Sequence, residues 1–345
     1  MSKILKNIHS DLAFTNNLIN WGKSFGRKNL PWNPSYGKKI DPYKVWLSEI
    51  MLQQTQFRTG VKYFERFIKH FPNVKNLAES EIETVLSFWS GLGYYARAKN
   101  MHKAAKIICS GGKVNFPKSA SDWKKLPGIG FSTAAAISAF TVNEKQPIMD
   151  ANVIRIVARQ HKLIERIGSA KLQKKIFIIC SKHLPKSNSD MPIYTQSIMD
   201  LGALICRPKE PLCDLCPVSE CCLSFLEGKV GNYPVKKKKV FKNIKRVSWI
   251  IPHTQDSIAL VQSKDSKLWE NFWIPIEIQE NNLIPKKACF LKRFKLPISN
   301  FIFDISVWGI LCKRKNFEGG VRWFKNSNLN EKPIPSSVKK AISFL

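Results

Sequence analysis

Apolar residues recur at helical spacing through the first two thirds of the chain. Phe64, Phe67, Ile68 and Phe71 fall at i, i+3, i+4 and i+7, a single stripe on a helix. Ser80 and Glu83 have the spacing of a capping box, which predicts a helix that opens there and buries Val85, Leu86 and Trp89. Val153, Ile154, Ile156 and Val157 predict another buried helix face. Breaks at Phe71-Pro72-Asn73, Gly91-Leu92-Gly93, Gly111-Gly112 and Pro127-Gly128 separate the segments. After residue 246 the pattern becomes β-rich, with runs at Val247–His253, Ser257–Ser263, Phe301–Cys312 and Val321–Lys325. The intervening Lys229–Arg246 is basic and without helical period, as in a solvated linker. The expected organisation is a helical domain over 1–226, a basic linker over 227–246 and a mixed α/β module over 247–345.

With 345 residues, 44% of them hydrophobic, the chain can bury two or three cores. No run approaches the ~18 apolar residues that span a bilayer; the longest, Thr133–Val142, is broken by Ser138 and Thr141. The start lacks the apolar block and small-residue cleavage site of a signal peptide. A cytoplasmic monomer without a membrane partner is expected. Lys and Arg total 56 against 25 Asp and Glu, a net charge of +31. Such a surface attracts polyanions, nucleic acid first among them, although an AT-biased genome also enriches Lys.

Five of nine cysteines crowd into Cys206–Cys222. Cys206, Cys213, Cys216 and Cys222 place four thiolates in one short loop, a set for zinc or a [4Fe–4S] cluster. One Cys-x2-Cys knuckle with two lone flanking cysteines suits the cluster better, and by spacing alone Cys221 competes with Cys222 as fourth ligand. Cys109, Cys180, Cys289 and Cys312 are expected in the core. Leu126-Pro127-Gly128-Ile129-Gly130 precedes the helical run Phe131–Phe140 and follows a helical segment, Ser119–Lys125. A tight turn feeding a helix N-terminus presents backbone amides that bind phosphate. Two carboxylates stand out. Glu49 lies in the apolar helix Val45–Gln54, where burial would raise its pKa and fit it for general-acid work, unless it marks a solvated face. Asp150 opens the helix Ala151-Asn152-Val153 and has the form of an N-cap.

In order along the chain, SEIMLQQTQ with Glu49, GLGYYARA, LPGIG-x-STAAAI, MDANV with Asp150 and Cys-x6-Cys-x2-Cys-x5-Cys resemble the helix-hairpin-helix DNA glycosylases, and among them the MutY-type adenine glycosylases. The resemblance spans residues 10–225 and includes LPW at 30–32. It implies a mainly α helix-hairpin-helix core with an iron–sulfur loop and a small C-terminal α/β Nudix-like (MutT-like) domain, the latter resembled loosely through Leu268–Trp273. The implied reaction removes adenine mispaired with 8-oxoguanine or guanine in double-stranded DNA. Glu49 is then the general acid and Asp150 the stabiliser of the oxocarbenium-like sugar, oriented by Asn152, in DANV where many relatives have DGNV. Trp32 and Gln196 line the adenine pocket. Gln54 and Thr55 contact the orphaned base, with Leu92 and Tyr94 wedged beside it; helix packing is the other reading of Tyr94. The amides of Gly128 and Gly130, together with Arg207 and Lys209, hold phosphates. Ser132 occupies the place of the Schiff-base lysine of endonuclease III-type relatives, so strand cleavage is not expected. In the C-terminal module Ile298-Ser299-Asn300 replaces a Phe-Ser-His lesion reader and keeps only Ser299; no Nudix hydrolase box is present.

Overall fold

The computed structural model describes residues 3–28, 30–32, 40–236, 243–264, 269–279, 284–298, 301–313 and 320–345. The helices are α1 (Lys3–Phe25), α2 (Pro42–Leu52), α3 (Phe57–His70), α4 (Val74–Glu79), α5 (Ile82–Trp89), α6 (Ala96–Ile108), α7 (Ala120–Trp123), α8 (Phe131–Val142), α9 (Ala151–Gln160), α10 (Ala170–Lys182), α11 (Met191–Asp200), α12 (Leu223–Leu226) and α13 (Ser336–Ile342). The strands are β1 (Asn243–His253), β2 (Ser257–Gln262), β3 (Trp273–Ile274), β4 (Ile276–Gln279), β5 (Cys289–Ile298), β6 (Phe301–Leu311) and β7 (Arg322–Lys325).

By contacts the chain divides into two compact units, one of residues 1–57 and 107–238, the other of 58–106 and 239–345. In the first, Asp41 caps α2 by accepting from the Tyr43 amide at 2.9 Å, and Pro42 opens it where a missing N–H is harmless. Val45, Trp46, Leu47, Ser48, Ile50 and Met51 are buried, so α2 is enclosed nearly all round. It packs on α8, whose Ala134–Phe140 are buried, with Trp46 against Trp123 at 5.9 Å. α1 lies so close to α11 that a Cβ on Gly22 would meet Ser197 Oγ at 1.7 Å.

The second unit combines α3–α6 and α13 with one mixed sheet in the order β3-β2-β1-β6-β5, β4 also pairing with β1 and β7 with β2. β1 and β6 run parallel from Asn243↔Phe301 to His253↔Leu311, and β5 returns antiparallel on β6. The apolar face buries Trp249, Trp269, Ile305 and Val307. All four strands expected from the sequence are present. β3, β4 and β5 are additional, and β1 begins at Asn243, within the stretch expected to be linker. The other end of that stretch is held too, because Ile167 N donates to Val235 O at 2.9 Å. The expected capping box does not form. Ser80 ends α4, its Oγ donating to Asn76 O at 2.6 Å, so its hydroxyl is occupied by the preceding helix. α5 is capped by Glu81 without a side-chain bond, and Glu83 accepts from Gln262 Nε2 at 2.5 Å instead. Cys289 is exposed on the edge strand β5 and is not a core residue.

A Gly22→Ala variant must push α1 from α11, because the added methyl would also lie 2.7 Å from Ser197 Cβ. A loss of about 1–3 kcal/mol in denaturant unfolding is expected; unchanged stability would show that the helices separate freely.

Candidate active site and cysteine-lined cavity

The first unit holds both singled-out carboxylates. Glu49 is the least enclosed position of the central part of α2, yet burial pushes its carboxyl up to about 8. The charge of Asp150 pushes the same way and the Arg27 guanidinium opposes both. Arg27 is fixed in turn by Asp200, donating through Nη2 at 2.6 Å, through Nε at 2.7 Å and through its backbone amide at 2.7 Å. Its guanidinium lies 4.5 Å from the Phe57 ring centroid, and Phe57 meets the edge of the buried Trp32 at 5.9 Å. Gln196 donates to the same Asp200 carboxylate at 2.7 Å. Trp32 and Gln196 are thus gathered onto one Arg27–Asp200 pair. The sequence reading missed that pair, although an Asp in the apolar run Ile198–Ile205 calls for a cation.

Asp150 is the N-cap of α9, accepting from the Val153 amide at 2.8 Å. Asn152 Nδ2 approaches its other oxygen at 3.4 Å, while Asn152 Oδ1 accepts from Arg155 Nη2 at 2.8 Å. A π-helical turn, Leu201–Ile205, brings Gly202 beneath this point, and a Cβ there would lie 2.6 Å from Asn152 Cβ. The expected N-cap and the expected site residue are therefore one side chain.

α7 and α8 form the hairpin. Gly128 takes φ +79°, a left-handed conformation suited to glycine. Gly130 caps α8 without a side-chain bond and is exposed, so the first amides of α8 have no side chain on them. Ser132 Oγ accepts from the Met149 amide at 2.9 Å, and Gln53 Nε2 donates to Thr133 Oγ1 at 3.1 Å. The first turn of α8 thus braces both the end of α2 and the approach to Asp150. Beyond α2, Gln54 is exposed at φ +56° and Thr55 donates to Gln53 O at 3.3 Å. In the second unit Leu92 is buried and Tyr94 is 62% exposed at φ +48°. Ser299 lies outside the described residues.

Cys206, Cys213, Cys216 and Cys222 line one cavity of about 30 Å³ together with Arg159, Leu212, Phe225 and Val230; Cys221 is not among the lining residues. Among the described residues no three His, Cys, Asp or Glu side chains are spaced to hold a metal ion. Burial pushes the Cys216 thiol up to about 12, with the neighbouring cysteines adding to it. Arg159 Nη1 donates to Cys206 Sγ at 3.3 Å and to Arg207 O at 2.7 Å. Within the loop Arg207 donates to Glu210 O at 2.9 Å, and Lys209 is exposed.

The raised Glu49 carboxyl has a consequence for folding. Its ordinary value is 4.5, so the native state binds the extra proton between there and about 8. That stabilisation is complete below 4.5 and is lost as pH rises through 8. A Glu49→Gln variant, which cannot ionise, is expected to melt higher than the parent above about pH 8 and to approach it toward about pH 4. A gap that does not change with pH would remove the buried titration.

The HhH-GPD superfamily of base excision DNA repair proteins matches residues 47–182. The adenine DNA glycosylase of Buchnera aphidicola subsp. Schizaphis graminum (strain Sg) is 36% identical over 345 residues, covering 96% of this chain and 98% of the relative. That of the subspecies Baizongia pistaciae (strain Bp) is 35% identical over 346 residues, covering 96% of each. A thermostable thymine-DNA glycosylase of known structure superposes with a TM-score of 0.54 at 20% identity, over 64% of this chain and 98% of its own, a likeness of fold alone. Matched along nearly its whole length at this identity, the chain belongs to the adenine DNA glycosylases of the HhH-GPD superfamily of base excision repair.

Proposed function

We propose that this chain removes adenine from A·8-oxoguanine and A·G mispairs in double-stranded DNA by hydrolysis of the N-glycosidic bond, with Glu49 as general acid. The observation that carries the reading is a carboxyl held protonated near neutral pH beside a second carboxylate, Asp150. Adenine in the duplex is out of reach, so it must leave the stack. Trp32 and Gln196, gathered at the Arg27–Asp200 pair, receive it. Glu49 protonates a ring nitrogen, and the bond to C1′ breaks with its electron pair leaving on neutral adenine. The positive charge on the deoxyribose is met by the Asp150 carboxylate, which Asn152 and the Val153 amide orient, until water adds at C1′ and gives up a proton. One protonated and one charged carboxyl is the division of labour that sugar hydrolysis requires.

Ser132 has no amine to form a Schiff base, which supports base removal without strand cleavage. The capless start of α8, with Gly128 and Gly130, suits a phosphate, and Arg207 and Lys209 on the cysteine loop add further cations for the backbone. Gln54 and Thr55 take the orphaned base, while the exposed Tyr94 enters the stack beside it; Leu92, expected to share that role, is buried and supports the loop from within. Reading of 8-oxoguanine belongs to the Nudix-like module over 247–345, through Ser299. Cys206, Cys213, Cys216 and Cys222 would hold a [4Fe–4S] cluster, whose contribution when bound is to order the loop and its cations. The helical core over 1–226 and the linker over 227–246 complete this organisation.

Single-turnover reactions on duplexes containing A·8-oxoguanine, A·G, A·C and A·T, with and without alkali, test the assignment. Alkali-dependent nicking is expected opposite 8-oxoguanine and guanine, with a rate that falls above pH 8 as Glu49 ionises. Glu49→Gln should bind the mispair but lose at least about 10²–10⁴-fold in rate; undiminished release would take Glu49 out of the reaction. For the cysteines, Cys222→Ser is expected to lose the visible iron–sulfur absorbance and Cys221→Ser to keep it. The reverse would exchange their roles.

A further inference from the structure

The Gly91–Tyr95 loop is held at almost every backbone position by its own unit. Tyr63 Oη donates to Ser90 O at 2.9 Å, and Trp89 Nε1 donates to Gly93 O at 3.3 Å. Arg97 Nη2 donates to Gly93 O at 3.1 Å and its guanidinium stacks 5.7 Å from the Tyr94 ring. Gly91, at φ +103°, passes so near Tyr63 that a Cβ would meet its hydroxyl at 2.0 Å. The loop thus keeps Tyr94 at φ +48° and outward, a conformation unusual for a bulky side chain.

Part of that hold comes from residues more than 160 positions away. Ser90 Oγ donates to Ile334 O at 2.6 Å in a buried bond. The hydroxyl of Tyr95 shares hydrogen bonds with the Ser336 side chain and with the backbone of Ser336 and Gly91. The ring of Tyr95 packs on Phe272 at 4.2 Å. One helical turn on, Lys99 Nζ pairs with Glu270 at 2.6 Å. Glu270 and Phe272 belong to the Trp269–Trp273 segment, which the sequence singled out and the chemistry left without a task. Asn271, left-handed at φ +66°, makes this segment a fixed turn by donating its amide to Ser263 O at 2.8 Å. Phe272 is fully buried against Tyr95, and Glu270 faces Lys99.

We infer that the C-terminal module positions the Tyr94 wedge. Phe272, Glu270, Ile334 and Ser336 fix Ser90, Tyr95 and Lys99, and these fix the loop that presents Tyr94. The inference rests on the reading of Tyr94 as the side chain that enters the stack. In it the module serves mispair recognition through the protein as well as at the lesion. None of these residues touches the reacting atoms; they are positioning residues, and their loss should act on wedge insertion before it acts on stability.

The test uses the full chain and a duplex with 2-aminopurine stacked beside the orphaned guanine, whose fluorescence rises when a wedge opens the step. Tyr94→Ala should abolish the rise. Tyr95→Phe, Lys99→Glu and Glu270→Lys should each reduce the insertion equilibrium by about two- to tenfold, the span of one hydrogen bond or partly buried ion pair. The Lys99→Glu/Glu270→Lys double variant has the parent's net charge and should recover the parent signal, which loss of a DNA-contacting lysine could not do. A rise unchanged in Tyr95→Phe and in both single reversals, with Tyr94→Ala silent, overturns the positioning role and leaves the wedge intact. A rise that survives Tyr94→Ala removes the wedge reading itself.

Discussion

Helix α9 is tethered at both ends, and the proposed chemistry depends on that tether. At its N-terminus the Asp150 carboxylate accepts the Val153 amide, so the proposed sugar-facing charge is also the cap of the helix. One turn on, Arg155 donates to Cys206 O and Gly202 O, both at 2.8 Å. At the far end Arg159 donates to Arg207 O, Pro208 O and Tyr233 O. Two buried guanidiniums thus satisfy carbonyls that an irregular loop leaves over, and they need those carbonyls because a buried cation without partners is costly. The cysteine loop and Asp150 are therefore joined through one braced helix. A loop that lost its order would release Arg155 and Arg159, and with them the helix that aims Asp150. This gives a staple far from the reacting bond a direct part in its geometry.

The second carboxylate is tuned by a different device. Glu49 gains its raised proton affinity chiefly from burial, then from Asp150. Arg27 works against both, and its strength is limited because Asp200 already engages its guanidinium. An unpaired Arg27 would pull Glu49 toward the charged form; a missing Arg27 would leave Asp200 buried without a cation. The pair thus sets a middle course for Glu49, protonated at neutral pH as the proposed general acid must be.

Much of this is legible in the order of residues alone. An apolar helix with one carboxylate and a Pro-Gly-x-Gly turn before a helix are local patterns that form as expected, and the four spaced cysteines line one cavity. The failures are also physical. Ser80 is free by spacing to cap α5, but a closer partner, Asn76 O, takes its hydroxyl. β5 reads CFLKRFKLPI; Phe294, Leu296 and Ile298 alternate with Arg293, Lys295 and Pro297, but the irregularity between Phe290 and Lys292 breaks the period upstream and leaves the alternating run short. Cys221 and Cys222 are adjacent, and only the turn at Ser219–Cys221 decides which of them faces the cavity. Arg27 with Asp200, and Lys99 with Glu270, are joined across 173 and 171 positions, distances at which no periodicity carries information.

The division of the chain follows the division of labour. Glu49, Asp150, the hairpin and the cysteine loop belong to one unit, whose tethers all serve to fix charges and amides. The groups proposed to read the mispair, Tyr94 and the C-terminal sheet, belong to the other. That second unit is assembled from a helical segment, 58–106, and a segment that begins at 239. Buried contacts such as Ser90 to Ile334 and Tyr95 to Phe272 are what hold the helical segment in its final form. A strained loop at Gly91–Tyr95 is stable only where its surroundings over-determine it. Here half of those surroundings come from the end of the chain, so the helical sequence alone, though it carries the GLGYYARA motif, does not carry all that fixes its shape.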